Sequence, residues 1–165
     1  MNPGSWLLAL TGALATGLAG QTLPPRPDTL TFSDLTVGGL PYSADTAAAR
    51  LTFGQPDSIT VPSDPDEEGI HEIIWWYKAL TLSFYDTGEP YVISWTAGRY
   101  ATARGLSIGA TSADILSRYG EPMSHDPTHI LYALSNEDTE NRGILFILTD
   151  GLVTQVNVGV VIALN

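Results

Sequence analysis

The sequence contains no cysteine. Disulfide bonds, thiolate metal sites and a cysteine nucleophile are therefore excluded, and so is the lipid-bearing cysteine that follows the signal peptide of a bacterial lipoprotein. Basic residues are also scarce, since 7 Lys and Arg stand against 18 Asp and Glu and give a net charge of −11. Nucleic acids and anionic membrane surfaces are unfavourable partners for such a chain, whereas a basic protein surface suits it. The simpler interpretation is that the acidity only keeps the protein soluble.

Motifs for nucleotide binding or catalysis are also missing. None of the 16 glycines lies in a phosphate-binding Gly-x-Gly-x-x-Gly or Gly-Lys-Ser/Thr loop. Ser107, Ser112 and Ser117 fit turn and helix positions, with no neighbouring histidine to activate them. We therefore expect no enzymatic activity and no cofactor. A hydrolase whose carboxylates meet only in the folded chain is the alternative.

The first 34 residues divide into two parts. Residues 1–20 carry no charge, and their apolar run Trp6–Ala19 is interrupted by Thr and Gly, so it is too short and too diluted for a membrane span. It fits a signal peptide, which predicts an exported protein, periplasmic or extracellular in a bacterium and without a lipid anchor. A retained N-terminus is the alternative. Residues 21–34 contain three prolines and are predicted to form an extended linker.

One stretch, Gly105–Pro122, carries a complete set of helix start and stop residues. Thr111 is the predicted N-cap, and Asp114, three positions later, completes a capping box. Gly120 suits the left-handed position after a helix, and Pro122 prevents the helix from continuing. The sequence therefore predicts a two-turn helix between Thr111 and Gly120.

This pattern occurs twice. Leu35–Gly38 matches Leu106–Gly109, and Phe53–Pro56 matches Tyr119–Pro122. The first helix is then predicted to start from an N-cap at Ser43 or Asp45 and to end at Gly54, in a segment rich in alanine and leucine.

Three predicted strands follow each helix. Their matching segments are Trp75–Tyr77 with Ile130–Tyr132, Leu82–Asp86 with Phe146–Asp150, and Val92–Trp95 with Val153–Val156. Asp150-Gly151 is typical of a two-residue hairpin turn. Repeat 1 is predicted at residues 35–98, a linker at 99–104 and repeat 2 at 105–165. One repeat alone would bury little, so we expect an α+β fold in which both share one antiparallel sheet with the helices on one face.

The pattern of an apolar residue before glycine, a short capped helix, Gly-x-Pro, an aromatic strand and an Asp-Gly hairpin resembles the SmpA/OmlA (BamE) family of bacterial envelope proteins. Its duplication resembles the two-repeat β-lactamase inhibitor proteins (BLIP-like). The resemblance covers most of the chain from Leu35 to Gly159 and implies binding or scaffolding rather than catalysis. The chain departs from these proteins by lacking the lipid-anchoring cysteine of the first and the disulfides of the second.

Period-two alternation separates the two faces of the predicted sheet. The residues predicted to face the helices are Ile73, Trp75, Tyr77, Leu80, Leu82, Phe84, Tyr91, Ile93, Trp95, Ile130, Tyr132, Leu134, Ile144, Phe146 and Leu148. The opposite face would then carry a contiguous apolar patch, predicted to bind a partner. Its residues are Ile74, Trp76, Tyr85, Leu131, Leu145 and Ile147.

A large exposed apolar patch usually marks a partner site. The predicted partner is a protein, which makes the chain a binding module, and an inhibitor of a secreted enzyme is the more specific form of this prediction. Three other covers are open: the N-terminal segment, the C-terminal run Val160–Leu164 and a second copy of the chain. A structural or self-associating envelope component is the alternative function.

Two groups of polar residues are candidate metal ligands. Asp64–Glu68, followed by His71, is rich in carboxylates but lacks the alternating spacing of a calcium loop, so a solvated loop is the simpler prediction. His125 and His129 have a spacing that would suit zinc on a helix. Pro127 lies between them and disfavours a helix, so we expect no metal.

Overall fold

The computed structural model describes residues 29–61, 72–85, 87–134, 138 and 141–161. Within these residues the chain forms two helices, a 3-10 turn at Phe32–Asp34 and ten strands. The helices are α1 (Thr46–Phe53) and α2 (Ser112–Tyr119). The strands are β1 (Thr36–Val37), β2 (Leu40–Pro41), β3 (Ser58–Thr60), β4 (Glu72–Tyr77), β5 (Leu80–Tyr85), β6 (Pro90–Trp95), β7 (Ser124–His125), β8 (His129–Ala133), β9 (Arg142–Thr149) and β10 (Leu152–Val160).

Both helices begin and end at the predicted residues. The Thr111 hydroxyl accepts a hydrogen bond from the Asp114 amide at 3.1 Å, and the Asp114 carboxylate accepts one from the Thr111 amide at 2.9 Å. In α1 the N-cap is Asp45 rather than Ser43, because its carboxylate accepts from the Ala48 amide at 2.8 Å. Gly54 and Gly120, which follow the two helices, have φ angles of +83° and +77°, a conformation that residues with a side chain rarely adopt.

Eight strands form one antiparallel sheet in the order β3-β4-β5-β6-β10-β9-β8-β7. Each helix is followed by four strands in sequence, and the two groups of four meet where β6 pairs with β10. The predicted α+β class with one antiparallel sheet is therefore confirmed. Each group has one strand more than predicted, because the residues after each Gly-x-Pro form a short strand, β3 or β7, that pairs with the next strand, β4 or β8. The Asp57 amide donates to the Trp76 carbonyl at 2.7 Å, and the Met123 amide donates to the Leu131 carbonyl at 2.8 Å.

The β9–β10 hairpin has the predicted two-residue turn. Asp150 and Gly151 have φ angles of +53° and +76°, the left-handed conformation that this kind of hairpin requires. In the β5–β6 hairpin, Asp86 lies outside the described residues. A bulge between Ser83 and Phe84 leaves Tyr91 out of register, so Tyr91 is half-buried beside Tyr85 instead of lying in the core as predicted.

Both helices pack against the same face of the sheet. Ala49 of α1 and Ile115 and Tyr119 of α2 belong to one continuous core. The sheet residues of that core are the ones that alternation assigns to the inner face, such as Trp75, Leu82, Phe84, Ile93, Trp95, Ile130, Ile144 and Phe146. The prediction that the helices lie on one face is confirmed, and the opposite face, here called the outer face, has no helix over it within the described residues.

The two segments predicted to be linkers contribute to the core where they are described. Leu30 is buried, and Asp34 pairs with Arg104 through two nitrogen–oxygen contacts of 2.8 Å. Arg104 also donates to the Arg118 carbonyl near the end of α2 at 2.9 Å, and Thr102 pairs with Val37. In the described part of these segments, the buried Leu30 side chain and the Arg104 contacts to Asp34 and to the end of α2 hold the chain against the rest of the fold.

None of the described helices has the length and apolar character needed to cross a membrane. Residues 1–20, predicted to be a signal peptide, lie outside the described residues.

Candidate functional site

The strand pairing defines the outer face residue by residue. One row of paired residues crosses all eight strands: Ser58, Trp76, Thr81, Ser94, Asn157, Leu145, Leu131 and Ser124. Ile74 and Tyr85 alternate with Trp76 along β4 and its partner β5, and Ile147 pairs with His129 beside Leu145. All six residues predicted to bind a partner therefore share this face.

The centre of the outer face is polar. Ser94 donates a hydrogen bond to the Asn157 side chain at 2.7 Å, and Gln155 donates to the same oxygen at 2.8 Å. These residues lie on β6 and β10, and the strand order separates β4 from β9 by four spacings, or about 19 Å. The prediction of one contiguous apolar patch is wrong, because the polar side chains of Thr81, Ser94 and Asn157 lie between Trp76 and Leu145 in the row.

The half formed by β8 and β9 is covered by the chain itself. Leu131 and Leu145 are only 3% and 7% exposed and form a small second cluster with Val161. The Val161 amide donates to the Asn141 carbonyl at 3.1 Å, which holds this residue beside the sheet. The expectation that Leu131 and Leu145 are exposed is wrong. Of the three covers considered, the C-terminal run is the one found here, at Val161.

The half formed by β3, β4 and β5 keeps its aromatic residue exposed. The Trp76 side chain is 43% exposed, and its indole N–H donates to the Thr60 hydroxyl at 2.9 Å. An open groove of about 250 Å³ lies beside it. The groove is lined from the outer face and from the β4–β5 turn, by residues that include Trp76, Lys78, Thr81, Ser94, Thr96 and Gln155.

Tyr85, the other aromatic residue among the six predicted to bind a partner, does not line this groove. It pairs with Glu72, four residues from Trp76 along β4, which places it about 13 Å away. Its ring lies 5.0 Å from that of Tyr91. Tyr85 and Trp76 therefore share a face without forming one aromatic cluster.

Both edges of the sheet are protected against strand addition. The edge strands β3 and β7 are three and two residues long. Prolines precede and follow both of them closely in the sequence, at Pro56, Pro62, Pro122 and Pro127. Short edges bounded by proline offer few free backbone groups in a row. The outer face is therefore a better docking surface than either edge.

A Ser–His–Asp array that the sequence analysis missed lies at the β7–β8 turn. The Ser124 hydroxyl is 3.3 Å from His129 Nε2, and His129 Nδ1 is 2.9 Å from an oxygen of Asp126. This is the order of contacts found in serine hydrolases. The sequence signal is the spacing Ser-x-Asp-x-x-His, which has no meaning until the hairpin brings Ser124 opposite the residues after the turn.

The other contacts of the array make it a turn structure. Asp126 accepts hydrogen bonds from the Thr128 amide at 2.6 Å, the Thr128 hydroxyl at 2.7 Å and the His129 amide at 2.9 Å. The hydrogen bonds from the Thr128 hydroxyl and amide lower the pKa of Asp126 most. A hydrolase needs such amides to stabilise an oxyanion. Here the Thr128 and His129 amides both close the turn on Asp126.

Ser107 is the other serine with a hydrolase-like context, since Gly105–Gly109 has the letters Gly-x-Ser-x-Gly. Its hydroxyl lies within hydrogen-bonding distance of the Gly98 carbonyl, at 3.1 Å, and of the Tyr100 carbonyl. These acceptors are backbone carbonyls, not a base, so Ser107 anchors the segment before α2, as its predicted turn role implies.

The predicted metal ligands do not converge. His125 pairs with Ile130, which faces the core side, whereas His129 lies on the outer face with Ile147. The two imidazoles are therefore on opposite faces of the sheet and cannot share a zinc ion. No group of three or more candidate ligands occurs in the described part of the chain. Asp64–Glu68 and His71 lie outside it, and the calcium alternative stays a prediction.

Comparisons with known proteins identify no family. No protein-family model matches the chain, and no curated protein matches it. A solved structure, named "putative beta-lactamase inhibitor protein" from Streptococcus mutans, is similar over 72% of this chain and 84% of its own, at 14% identity and a TM-score of 0.31. It is the kind of protein that the sequence resembles, but a likeness of this size carries no argument about function. The SmpA/OmlA resemblance stays a prediction.

Proposed function

We propose that the protein is an exported, non-enzymatic binding module that docks a protein partner on the Trp76 half of the outer face. The observation that carries this proposal is the exposed Trp76 indole, fixed by its hydrogen bond to Thr60 beside a groove of about 250 Å³. Tryptophan is enriched among the residues that dominate interface energies, and a fixed side chain loses little entropy on binding.

The internal geometry favours an external partner at this half. Val161 covers the Leu131 and Leu145 half, and the polar centre between the halves is compatible with water. On the outer face Trp76 is 43% exposed beside the groove, and Leu152, which pairs with Thr149 next to the β9–β10 turn, is 45% exposed and does not line the groove. The net charge of −11 favours a partner whose surface is basic overall, because complementary charge speeds association.

We also propose that the fold arose from two tandem repeats of the SmpA/OmlA kind. The strand order supports this, since it runs β6-β5-β4-β3 outward on one side of the centre and β10-β9-β8-β7 on the other. Each group follows a helix that begins with an N-cap and ends at a glycine of positive φ. Export is supported by the uncharged, apolar residues 1–20.

The experiment compares the wild type with Trp76→Ser and a matched control, Leu51→Ser. Leu51 is 90% exposed on α1, away from the outer face, so its replacement removes a similar apolar side chain from a different surface. Each protein is immobilised and exposed to envelope and medium fractions of the native organism. The captured protein is then purified, and its affinity for the three variants is measured by calorimetry.

We expect the wild type and Leu51→Ser to bind the purified partner equally and Trp76→Ser to lose binding, with unchanged circular dichroism for all three. Equal binding by Trp76→Ser would contradict the proposal. A wild-type dimer in sedimentation that Trp76→Ser dissociates would identify a second copy of the chain as the occupant, which is the self-associating alternative.

A further inference from the structure

The groove beside Trp76 contains the only lysine of the chain, Lys78. Lys78 lies in the two-residue turn between β4 and β5 and is exposed. Among the described residues, the ion pairs are Arg104 with Asp34, His129 with Asp126 and Arg142 with Asp138. No carboxylate of the described chain pairs with Lys78, although the whole sequence has 18 Asp and Glu.

The described arginines differ from Lys78 in this respect. Each of them contacts another group of the protein. Arg104 and Arg142 form ion pairs, Arg50 and Arg99 lie over the rings of Trp75 and Tyr100 at 4.8 Å and 4.7 Å, and Arg118 donates to the Arg104 carbonyl at 2.6 Å. Lys78 is thus an exposed cation that forms no ion pair with the described residues, in a strongly acidic protein, at the groove beside Trp76.

We infer that this groove binds a carboxylate side chain, Asp or Glu, of the protein partner; the inference rests on the proposed docking at Trp76. The Lys78 ammonium pairs with the carboxylate, and the hydroxyls of Thr81 and Thr96, which also line the groove, are suited to donate hydrogen bonds to it. The Trp76 ring packs against the methylene groups of the same side chain. The partner is then basic around the groove and acidic at the point of insertion.

The net charge of the chain favours a carboxylate that belongs to a protein over a free small anion. A free small anion is repelled by a chain of net charge −11 before it reaches Lys78. A carboxylate on a partner whose surface is basic overall can reach Lys78, because the basic residues around it are attracted to the acidic chain. Charge reversal at Lys78 removes the attraction and places a like charge against the inserted group, which is the costliest arrangement at an interface.

The test uses a phage-displayed library of disulfide-constrained heptapeptides, selected on the wild-type protein. The selected peptides are synthesised, and their dissociation constants are measured for the wild type, Trp76→Ser, Lys78→Glu, Lys78→Arg and the control Leu51→Ser. We expect the enriched peptides to share an Asp or Glu at one position. Their affinity should fall about tenfold or more with Lys78→Glu, stay within about threefold with Lys78→Arg and be lost with Trp76→Ser.

The outcomes separate the two proposals. Peptides that need Trp76 but bind Lys78→Glu as well as the wild type, or that share Lys or Arg instead of a carboxylate, would overturn the inference and leave docking at Trp76 intact. A selection without any Trp76-dependent peptide would contradict docking on this face, and the inference with it. Replacing the shared Asp or Glu by Asn or Gln should also weaken binding to the wild type, but less than Lys78→Glu does, because the neutral amide loses the ion pair without adding a like charge.

Discussion

Replacing Arg104 by alanine should destabilise the protein strongly, because one side chain ties the segment before β1 to α2. The Arg104 and Asp34 side chains are 9% and 11% exposed, and two contacts of 2.8 Å join them. The guanidinium also lies 4.5 Å from the centre of the Tyr119 ring. Truncation leaves the Asp34 carboxylate and the Arg118 carbonyl without these donors.

The expected loss of unfolding free energy is about 3 kcal/mol. Breaking a buried ion pair by removing one partner costs about 3–5 kcal/mol, and we take the lower end since Asp34 keeps its hydrogen bonds from Thr31. In a chain of 165 residues this corresponds to a decrease in Tm of about 6–12 °C. Urea unfolding at pH 7 measures it, and a double-mutant cycle with Asp34→Ala isolates the pair.

The loss should also depend on pH. Burial raises the pKa of Asp34, but the hydrogen bonds from Arg104 and Thr31 and the Arg104 charge outweigh it and hold the pKa below its ordinary value of 3.8. A lowered pKa in the folded state stabilises the protein above the unfolded pKa, and this contribution is lost as the pH falls through the folded pKa. The difference between wild type and Arg104→Ala should therefore shrink below pH 3.8. An Arg104→Ala variant within about 0.5 kcal/mol of the wild type at pH 7 would refute the reasoning.

Three further predictions concern the α2 cap, a glycine within β9 and the β7–β8 turn. Thr111→Ala should lower the unfolding free energy by about 1 kcal/mol by removing the α2 cap, with the neighbouring Ser112→Ala as the control. Gly143→Ala should cost about 3 kcal/mol or more, because its Cβ would lie 2.0 Å from the Tyr132 carbonyl oxygen, whereas Gly98→Ala meets nothing within 4 Å; chemical denaturation compares the two. A fluorophosphonate probe should label the wild type no more than Ser124→Ala by mass spectrometry, and specific labelling at Ser124 would show an activated nucleophile instead.

The local parts of the fold could be predicted because their causes are local. The ends of α2 follow from Thr111, Asp114 and Gly120, which act within one turn of the helix. The assignment of strand faces needs only alternation, and it succeeds except at Tyr91. There a bulge shifts the register by one residue, and alternation alone contains no information about bulges.

The outer face could be predicted only in part because its shape depends on contacts distant in sequence. Alternation places Trp76 and Leu145 on one face but does not reveal that β6 and β10 lie between them. Similarly, Leu131 has the pattern of an exposed residue, and only the path of the chain after β10 brings Val161 over it. The face was predictable, whereas its division into a covered half and an open half was not.

The central claim is that the open half, at Trp76, is the surface that binds a protein. The most direct test is the dissociation constant of the purified partner for Trp76→Ser and Leu51→Ser, relative to the wild type. A binding hot spot is worth about 2 kcal/mol or more, so Trp76→Ser should weaken binding about 30-fold or more while Leu51→Ser leaves it unchanged. Equal dissociation constants for the two variants, with both proteins folded, would contradict the account.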